Sequence, residues 1–515
     1  MGIPSEKLAE SLEALKELQD KGIIAIKASE LSRLHRVRLL STGFLTQIVR
    51  GWYLSTPSTE QQGNSTSWYA NYWDFCERYL KDRYGNNYCI SPEQSLQLHS
   101  GNWSVPKQLI IRSITNSKTP LPHGTSLFSI KSNLATSKDI EIINGIRVLS
   151  LPASLIYSSP LIFTNNAIDV RAALTMIKTS SEVLKILLDE GHTVVAGRLA
   201  GAFRNIGNDR IAVDIIKTMK AGGYDARETD PFQSETQIHL SSREKSPYVN
   251  RIKLMWHEMR EIVIKHFPQA PGIPEDHEAY MRKVESIYAT DAYHSLSIER
   301  YKVTPELIQR VKSGEWDINN NKEDIQQRDA MAAKGYWEAT QKVRETIKKI
   351  LDGGNAGEIT YNDHGDWYLK LFAPSVQAGL LRPSDLAGYR NSQVYIGQSK
   401  HVPLNVEAVR DTMPLLFELL TKESEASVRA VLGHFIFVYI HPYMDGNGRM
   451  GRFLFNVMLA SGGYPWTVIP VQERKAYMEA LENASVEQNI EPFTKFLAAL
   501  VNQSLEGKPA GDILN

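Results

Sequence analysis

One short run of the chain gathers residue types that can do chemistry together: His441-Pro-Tyr-Met-Asp445-Gly446-Asn447-Gly448-Arg449-Met-Gly-Arg452. His441 is the side chain here whose ordinary pKa suits proton abstraction near neutral pH. Gly446 and Gly448 let the backbone come close to a ligand and point several N–H groups at one anion. Arg449 and Arg452 are three apart, so both can project to one side of a helical turn and match a polyphosphate. Asp445 is an acid among these cations, and Mg²⁺ prefers one or two carboxylates plus phosphate oxygens. A base, a metal carboxylate, an amide cradle and paired cations are the parts that phosphoryl-type transfer needs.

The flanking pattern says how these residues are held. Val428, Val431, Leu432, Phe435 and Val438 recur at helical spacing, so a buried helix delivers His441 at its C-terminal end, where Pro442 stops it. Phe453, Leu454, Val457 and Met458 open a second buried helix, which ends at Gly462-Gly463. The run is therefore a loop leading into a helix N-terminus, which adds free N–H donors and partial positive charge.

The run resembles the signature of the Fic (filamentation induced by cAMP) family, His-Pro-aromatic-x-Asp/Glu-Gly-Asn-Gly-Arg-x-x-Arg, at every fixed position. The resemblance covers roughly residues 251 to 505. It implies an all-α domain with a β-hairpin flap and transfer of AMP from ATP to a Ser, Thr or Tyr hydroxyl of a protein. By that resemblance His441 is the base, Asp445 holds Mg²⁺, Asn447 orients the phosphates and Arg449 contributes to catalysis. Amides from Gly446 to Arg449, including Gly448, form the anion hole, and Arg452 pairs with the γ-phosphate. Tyr477 and Asn483 fall where family members contact the nucleoside. Gly388 to Gly397, with Val394, Tyr395 and Ile396, resembles the flap that registers a target segment by main-chain hydrogen bonds.

Upstream, Ser295-Leu-Ser-Ile-Glu299-Arg300 resembles the family's inhibitory motif, Ser/Thr-x-x-x-Glu-Gly/Asn. That resemblance implies Glu299 paired with Arg452 in the place of the γ-phosphate. The chain departs at the last position, where Arg300 replaces Gly or Asn.

The remaining sequence bounds the context. A chain of 515 residues suggests several domains. Its zero formal charge predicts no nucleic-acid or membrane partner for the whole. Two cysteines, Cys76 and Cys89, are too few for a disulfide framework and point to a reducing cytoplasm. The N-terminus has no apolar core of a secretory signal, and the longest apolar stretch, Val431 to Ile440, is about half a membrane span.

Residues 5 to 21 read as a helix and 23 to 27 as a strand. A helix capped by Ser29 runs through Leu34, and a further helical segment spans Gly43 to Arg50. Trp52 to Leu54 is extended. That order is the order of a small winged-helix unit. Six Lys or Arg lie between Lys21 and Ser58 against one acid, Glu30. Arg33, Arg36 and Arg38 make a candidate DNA-facing surface, with a plain solvated face as the alternative. Short strands over 108–113, 126–129 and 140–148 are followed by helices from 167 to 219, and a polar linker spans 228 to 250.

The pieces Ala28-Ser-Glu-Leu, Ile48-Val-Arg-Gly-Trp-Tyr-Leu, Ser91-Pro-Glu-Gln-Ser-Leu-Gln-Leu-His-Ser-Gly and Ala196-Gly-Arg-Leu-Ala resemble the AbiEi-type antitoxin family. That resemblance implies DNA binding. The expected fold is mainly α: a winged-helix-like domain over 1–60, a mixed α/β domain over 61–230 and a Fic domain over 231–515. The expected partners are ATP, Mg²⁺, a protein target (another protein or the chain itself), DNA through residues 21–58 and a second copy in a homodimer. Two other readings stay open: a DNA-binding regulator with a sensory Fic domain, and a Fic enzyme that removes AMP or transfers another phosphate-containing group.

Overall fold

The computed structural model describes residues 4–56, 65–133, 137–232, 246–314, 328–508 and 511. They divide into two compact units, Met1–Arg251 with Tyr395–Val402, and Ile252–Val394 with Pro403–Asn515.

In the first unit, α1 (Pro4–Asp20), β1 (Ala25–Lys27), a 3-10 turn and α2 (Arg33–Ser41) lead into β2 (Leu45–Val49) and β3 (Trp52–Ser55). The three strands form an antiparallel sheet in the order β1-β3-β2. Two sequence expectations are corrected here. Helix α2 starts after Ser32, whose side chain accepts from His35 N–H, so Ser29, inside the 3-10 turn, caps no helix. The expected helix over 43–50 is instead strand β2. Gly43 takes a left-handed φ of 78° that ends α2, and Thr46, Ile48 and Val49 are β-branched residues that suit a half-buried strand.

The cations expected to face DNA are largely taken up within this unit. Arg36 donates to the carbonyls of Ala28 and Leu31. Arg38 donates to Lys7 O at 2.9 Å and lies 3.5 Å from Glu10. Lys27 pairs with Asp82.

The rest of the unit holds α3 (Thr66–Ala70), α4 (Tyr72–Tyr84) and α5 (Pro92–His99), with a four-stranded sheet. Its strands are β4 (Tyr88–Ile90), β5 (Gln108–Ser113), β6 (Ser117–Pro120) and β7 (Ser126–Lys131), in the order β4-β5-β7-β6. A hairpin, β8 (Ile140–Ile143) and β9 (Ile146–Leu149), follows. Helices α6 (Leu151–Tyr157), α7 (Ile162–Asn165), α8 (Ala167–Met176), α9 (Ser181–Glu190), α10 (Thr193–Asn205) and α11 (Asp209–Ala221) complete it around an apolar cluster of their own. The expected linker over 228–250 lies partly outside the described residues, and α12 (Pro247–His266) already covers its last four positions.

The second unit has no strand among its described residues. It comprises the rest of α12, then α13 (His277–Ser286), α14 (Tyr288–Ile298), α15 (Pro305–Ser313), α16 (Arg328–Leu351), α17 (Ala356–Gln377), α18 (Val406–Lys422), α19 (Ala426–Ile440), α20 (Asn447–Ala460), α21 (Arg474–Val486) and α22 (Glu491–Leu505). Helix α19 is buried on every face, as a central helix must be to tolerate so apolar a sequence. Helix α20 is buried along nearly its whole length. No described helix is long and apolar enough to cross a membrane.

The β-hairpin expected between Gly388 and Val402 does not form a strand ladder; the chain turns back at Gln398, φ 64°, as an irregular loop. Side-chain donors take the carbonyls that a ladder would have used. Arg390 donates to Ser392 O and Leu404 O, and Gln393 Nε2 donates to Pro403 O at 2.8 Å. Pro403 has no N–H to return.

Candidate active site

Helix α19 ends on His441 itself. Its backbone is left-handed, φ 55° and ψ 61°, and its N–H still donates to Phe437 O at 3.0 Å. The imidazole Nδ1 lies 3.2 Å from Val438 O. A carbonyl can only accept, so Nδ1 carries the hydrogen and Nε2 keeps its lone pair. Burial pulls the His441 pKa down to about 4; the Val438 hydrogen bond opposes this, Arg390 adds to it, and Glu299 and Asp445 oppose it. At neutral pH the ring is therefore a free base.

The loop after His441 is built by its own side chains. Tyr443 is buried and stacks on Tyr368 with centroids 3.8 Å apart and planes 8° from parallel. Asn447 closes the loop: its Oδ1 accepts from Tyr443 N–H at 2.9 Å and its Nδ2 donates to Tyr443 O at 2.8 Å. The expected phosphate-orienting amide is thus occupied, and Asn447 shapes the cradle rather than reaching into it. Gly446 has a φ of 81°, and a Cβ there would stand 2.7 Å from the Phe372 ring. Its N–H donates to Asp445 Oδ1 at 2.6 Å. From Asn447 the chain is helical, and the first amides of α20 have no carbonyl within the helix to bond.

Arg449 is 1% exposed, packed between the rings of Tyr301 and Phe372, with centroids 5.1 and 5.0 Å from its guanidinium carbon. Its Nη2 is 3.6 Å from Asp445 Oδ2, and its Nε is buried with no hydrogen-bond partner. A cavity of about 200 Å³ opens beside it, lined by Tyr301, Arg328, Leu371, Phe372 and Asp445 among others. An unpartnered buried donor beside a cavity is what an anion would satisfy.

Arg452, 4% exposed, is engaged by α14 and the residue after it. Its Nε donates to Ser295 Oγ at 2.8 Å, and its Nη2 donates to Ser295 O at 3.0 Å and to Glu299 Oε1 at 2.7 Å. Ser295 and Glu299 are four apart, so one face of α14 presents both. Burial pushes the Glu299 carboxyl up, but the charge and hydrogen bond of Arg452, with Arg449 and Arg474, outweigh it and leave the carboxyl below its ordinary range. A Cβ on Gly448 would stand 2.2 Å from Glu299 Oε1, so glycine is what lets the carboxylate lie over the first turn of α20. The carboxylate itself occupies an anion position at a helix N-terminus.

The end of α14 shows why Gly or Asn would sit easily after Glu299. Arg300 N–H donates to Ser297 O at 2.9 Å and Tyr301 N–H to Leu296 O at 3.1 Å, the paired bonds of a Schellman cap. Arg300 is its left-handed residue, φ 66°, where Gly or Asn is unstrained. Arg474 Nε, donating to Ile298 O at 2.8 Å, braces the same end.

Other expected residues are placed differently. Tyr477 is a core residue: its ring packs near Phe493 and Phe496, and its hydroxyl meets His434 Nε2 at 2.8 Å. Asn483 is exposed on α21 and donates to Glu479 O on its own helix. Neither is turned to a nucleoside here. Val394 and Ile396 are half-buried and Tyr395 is exposed; Tyr395 and Ile396 group with the first unit. Sequence reading missed Tyr301, Phe372, Arg328 and Arg390, because none lies in the run they serve.

Asp445 has a side chain 64% exposed, and among the described residues no three His, Cys, Asp or Glu side chains could hold a metal. One accessible carboxylate beside an anion site fits Mg²⁺ when phosphate oxygens supply the other ligands.

A family model described as the Fic/DOC family matches residues 359–459, so this stretch is a Fic domain. The chain is 28% identical over 239 residues to the protein adenylyltransferase Fic of Drosophila virilis, covering 46% of this chain and 45% of that one. It is 26% identical over 271 residues to the protein of the same name from Nematostella vectensis, covering 52% and 59%. Over 132 residues it is 36% identical to that of Drosophila ananassae, covering 25% and 26%. The chain spans about half the length of the first two relatives.

Two outcomes follow from this geometry. Arg300→Gly should relieve the left-handed strain and stabilise the end of α14 by about 1 kcal/mol. Amide hydrogen exchange at Tyr301, whose N–H donates to Leu296 O, should then slow about fivefold; an unchanged rate would mean the cap carries no strain. In nitrogen-detected NMR of the nucleotide-free protein, His441 should remain the neutral Nδ1–H tautomer from neutral pH down to about pH 5. An imidazolium signal near the ordinary histidine pKa would refute the assigned burial.

Proposed function

We propose that residues 231–515 act as a Mg²⁺-dependent protein adenylyltransferase that moves AMP from ATP to a Ser, Thr or Tyr hydroxyl of a target protein, with Glu299 as its restraint. The observation that carries this reading is the Glu299–Arg452 contact over Gly448, 2.7 Å long, beside an unprotonated His441 Nε2. A carboxylate already seated on Arg452 marks the place where the terminal phosphate of ATP would lie.

In the reaction, His441 Nε2 takes the proton of the target hydroxyl as its oxygen attacks the α-phosphorus. The bond from that phosphorus to the bridging oxygen of the β-phosphate breaks, and pyrophosphate leaves. The first amides of α20, with Arg449 and Arg452, hold the charge that develops on the phosphates. Mg²⁺ held by Asp445 would neutralise charge between the α- and β-phosphates. The loop with Val394, Tyr395 and Ile396 would register the target by its main chain. The names of the relatives, protein adenylyltransferase, support this chemistry over removal of AMP or transfer of another group. DNA binding through residues 21–58 draws no comparable support, since Lys27, Arg36 and Arg38 already have partners.

Glu299→Gly should raise transfer of α-labelled AMP to protein by about 10- to 100-fold, the worth of one charge-assisted hydrogen bond. Adding His441→Ala should then lower it by about 10²- to 10⁴-fold. Labelling that is absent from Glu299→Gly protein in a lysate with ATP and Mg²⁺ would sink the proposal. The restraint should also resist mild acid. A carboxyl held below its ordinary value contributes at all pH above the unfolded value and is lost only as pH falls through the depressed one. Wild-type activity should therefore not be released between about pH 8 and pH 6.

A further inference from the structure

Arg390 is 2% exposed, and its partners are carbonyls. Its N–H donates to Pro442 O at 2.8 Å and its Nε donates to His441 O at 2.8 Å. Its Nη1 donates to Ser392 O at 3.1 Å and its Nη2 to Leu404 O. Among the described residues no carboxylate lies within ion-pair distance of it. Removing water from a guanidinium without a counter-charge is costly, and burial pulls its pKa down to about 10. A residue that served packing alone would be cheaper as an apolar one.

The place of these four acceptors explains the arrangement. Two belong to the peptide groups on either side of Pro442, directly after His441, whose left-handed backbone disfavours a non-glycine residue. The other two, Ser392 O and Leu404 O, flank the 393–403 segment on both sides. One planar fork thus fixes the strained backbone of His441 and both feet of the neighbouring loop. Its positive charge also faces the imidazole. The other charged groups acting on His441 are Glu299 from α14 and Asp445 from the following loop, both of opposite sign.

We propose that Arg390 is a positioning residue that ties the His441 backbone to Ser392 and Leu404, the two feet of the 393–403 loop, so that the base is held in a fixed place. This rests on His441 acting as the base proposed above. Arg390 does not touch substrate; it acts through His441 and through the loop.

The test uses the full chain carrying Glu299→Gly as parent, with Arg390→Met and Arg390→Lys added separately. Met should lower kcat by about 10²-fold, the loss typical of a catalytic group displaced by about 1 Å. KM for ATP should stay within about threefold, because no ATP contact is removed. Lys restores the charge but one ammonium cannot span the three carbonyls that the guanidinium reaches, so it should recover only part of kcat. Independently of activity, His441 is titrated by NMR in the Glu299-containing protein. Met should raise its pKa towards the ordinary value, and Lys should leave it nearly unchanged. A folded Met variant with parental kcat, or an unmoved His441 titration, overturns the proposal. Should the Met variant fail to fold, Lys decides alone: reduced kcat at constant KM supports the proposal and parental kcat overturns it. A parent that transfers nothing would defeat the proposed function, while the His441 titration would still decide the role of Arg390.

Discussion

A buried guanidinium is costly unless its charge is matched or its donors are all bonded, and at Arg452 helix α14 supplies a carboxylate. Left unpaired, a charge at 4% exposure would cost several kcal/mol. Helix α14 meets the demand with a serine hydroxyl, a main-chain carbonyl and a carboxylate, all from the four-residue spacing of Ser295 and Glu299. The same helix sends Asp291 to accept from Tyr336 of α16 at 2.6 Å, which fixes its rotation. Gly448 leaves the gap into which the carboxylate reaches. Any polyphosphate that binds by pairing with Arg452 must displace a ligand already attached to the protein. A tethered ligand competes at high effective concentration, so the exchange depends on how firmly α14 ends.

Much of this was readable from the residues. The run from His441 to Arg452 could be placed as a loop between two buried helices, because apolar spacing on both sides and Pro442 leave few alternatives. The Ser295–Glu299 pair could be matched to Arg452 by resemblance. The reason for the Gly or Asn that usually follows was not visible until Arg300 appeared at φ 66° in a Schellman cap. A sequence states which residue departs from a pattern; the backbone angle states what the departure costs.

The misplacements have a common cause, which is that local sequence does not report competing partners. Asn447 could have faced a phosphate, but Tyr443 offers both a donor and an acceptor four residues away. Tyr477 could have flanked a base, but His434 lies within 2.8 Å of its hydroxyl in the core. The 43–50 segment kept apolar residues compatible with either period, and pairing with β3 settled it as a strand. The segment from Gly388 resembles a hairpin flap, yet Arg390 and Gln393 bond the carbonyls of Ser392 and Pro403 instead. Each case required knowing what a residue far along the chain, or on another helix, would offer.

Two left-handed residues, His441 and Arg300, end the helices that carry the imidazole and the Glu299 carboxylate, and their strain has different standing. At 441 the side chain is needed: a glycine would relax the backbone and remove the imidazole, so the strain must be offset by other bonds. Arg390 and the Phe437 carbonyl provide them. At 300 nothing in the site requires arginine, since the cap is made by main-chain groups and Glu299 reaches Arg452 from the residue before. The strain there weakens the end of α14 without touching the cradle, the base or Arg452. It lowers the cost of withdrawing Glu299 by about the penalty of one left-handed residue, roughly 1–2 kcal/mol. With arginine at this position the Glu299–Arg452 contact is therefore the same as it would be with glycine, but held less tightly.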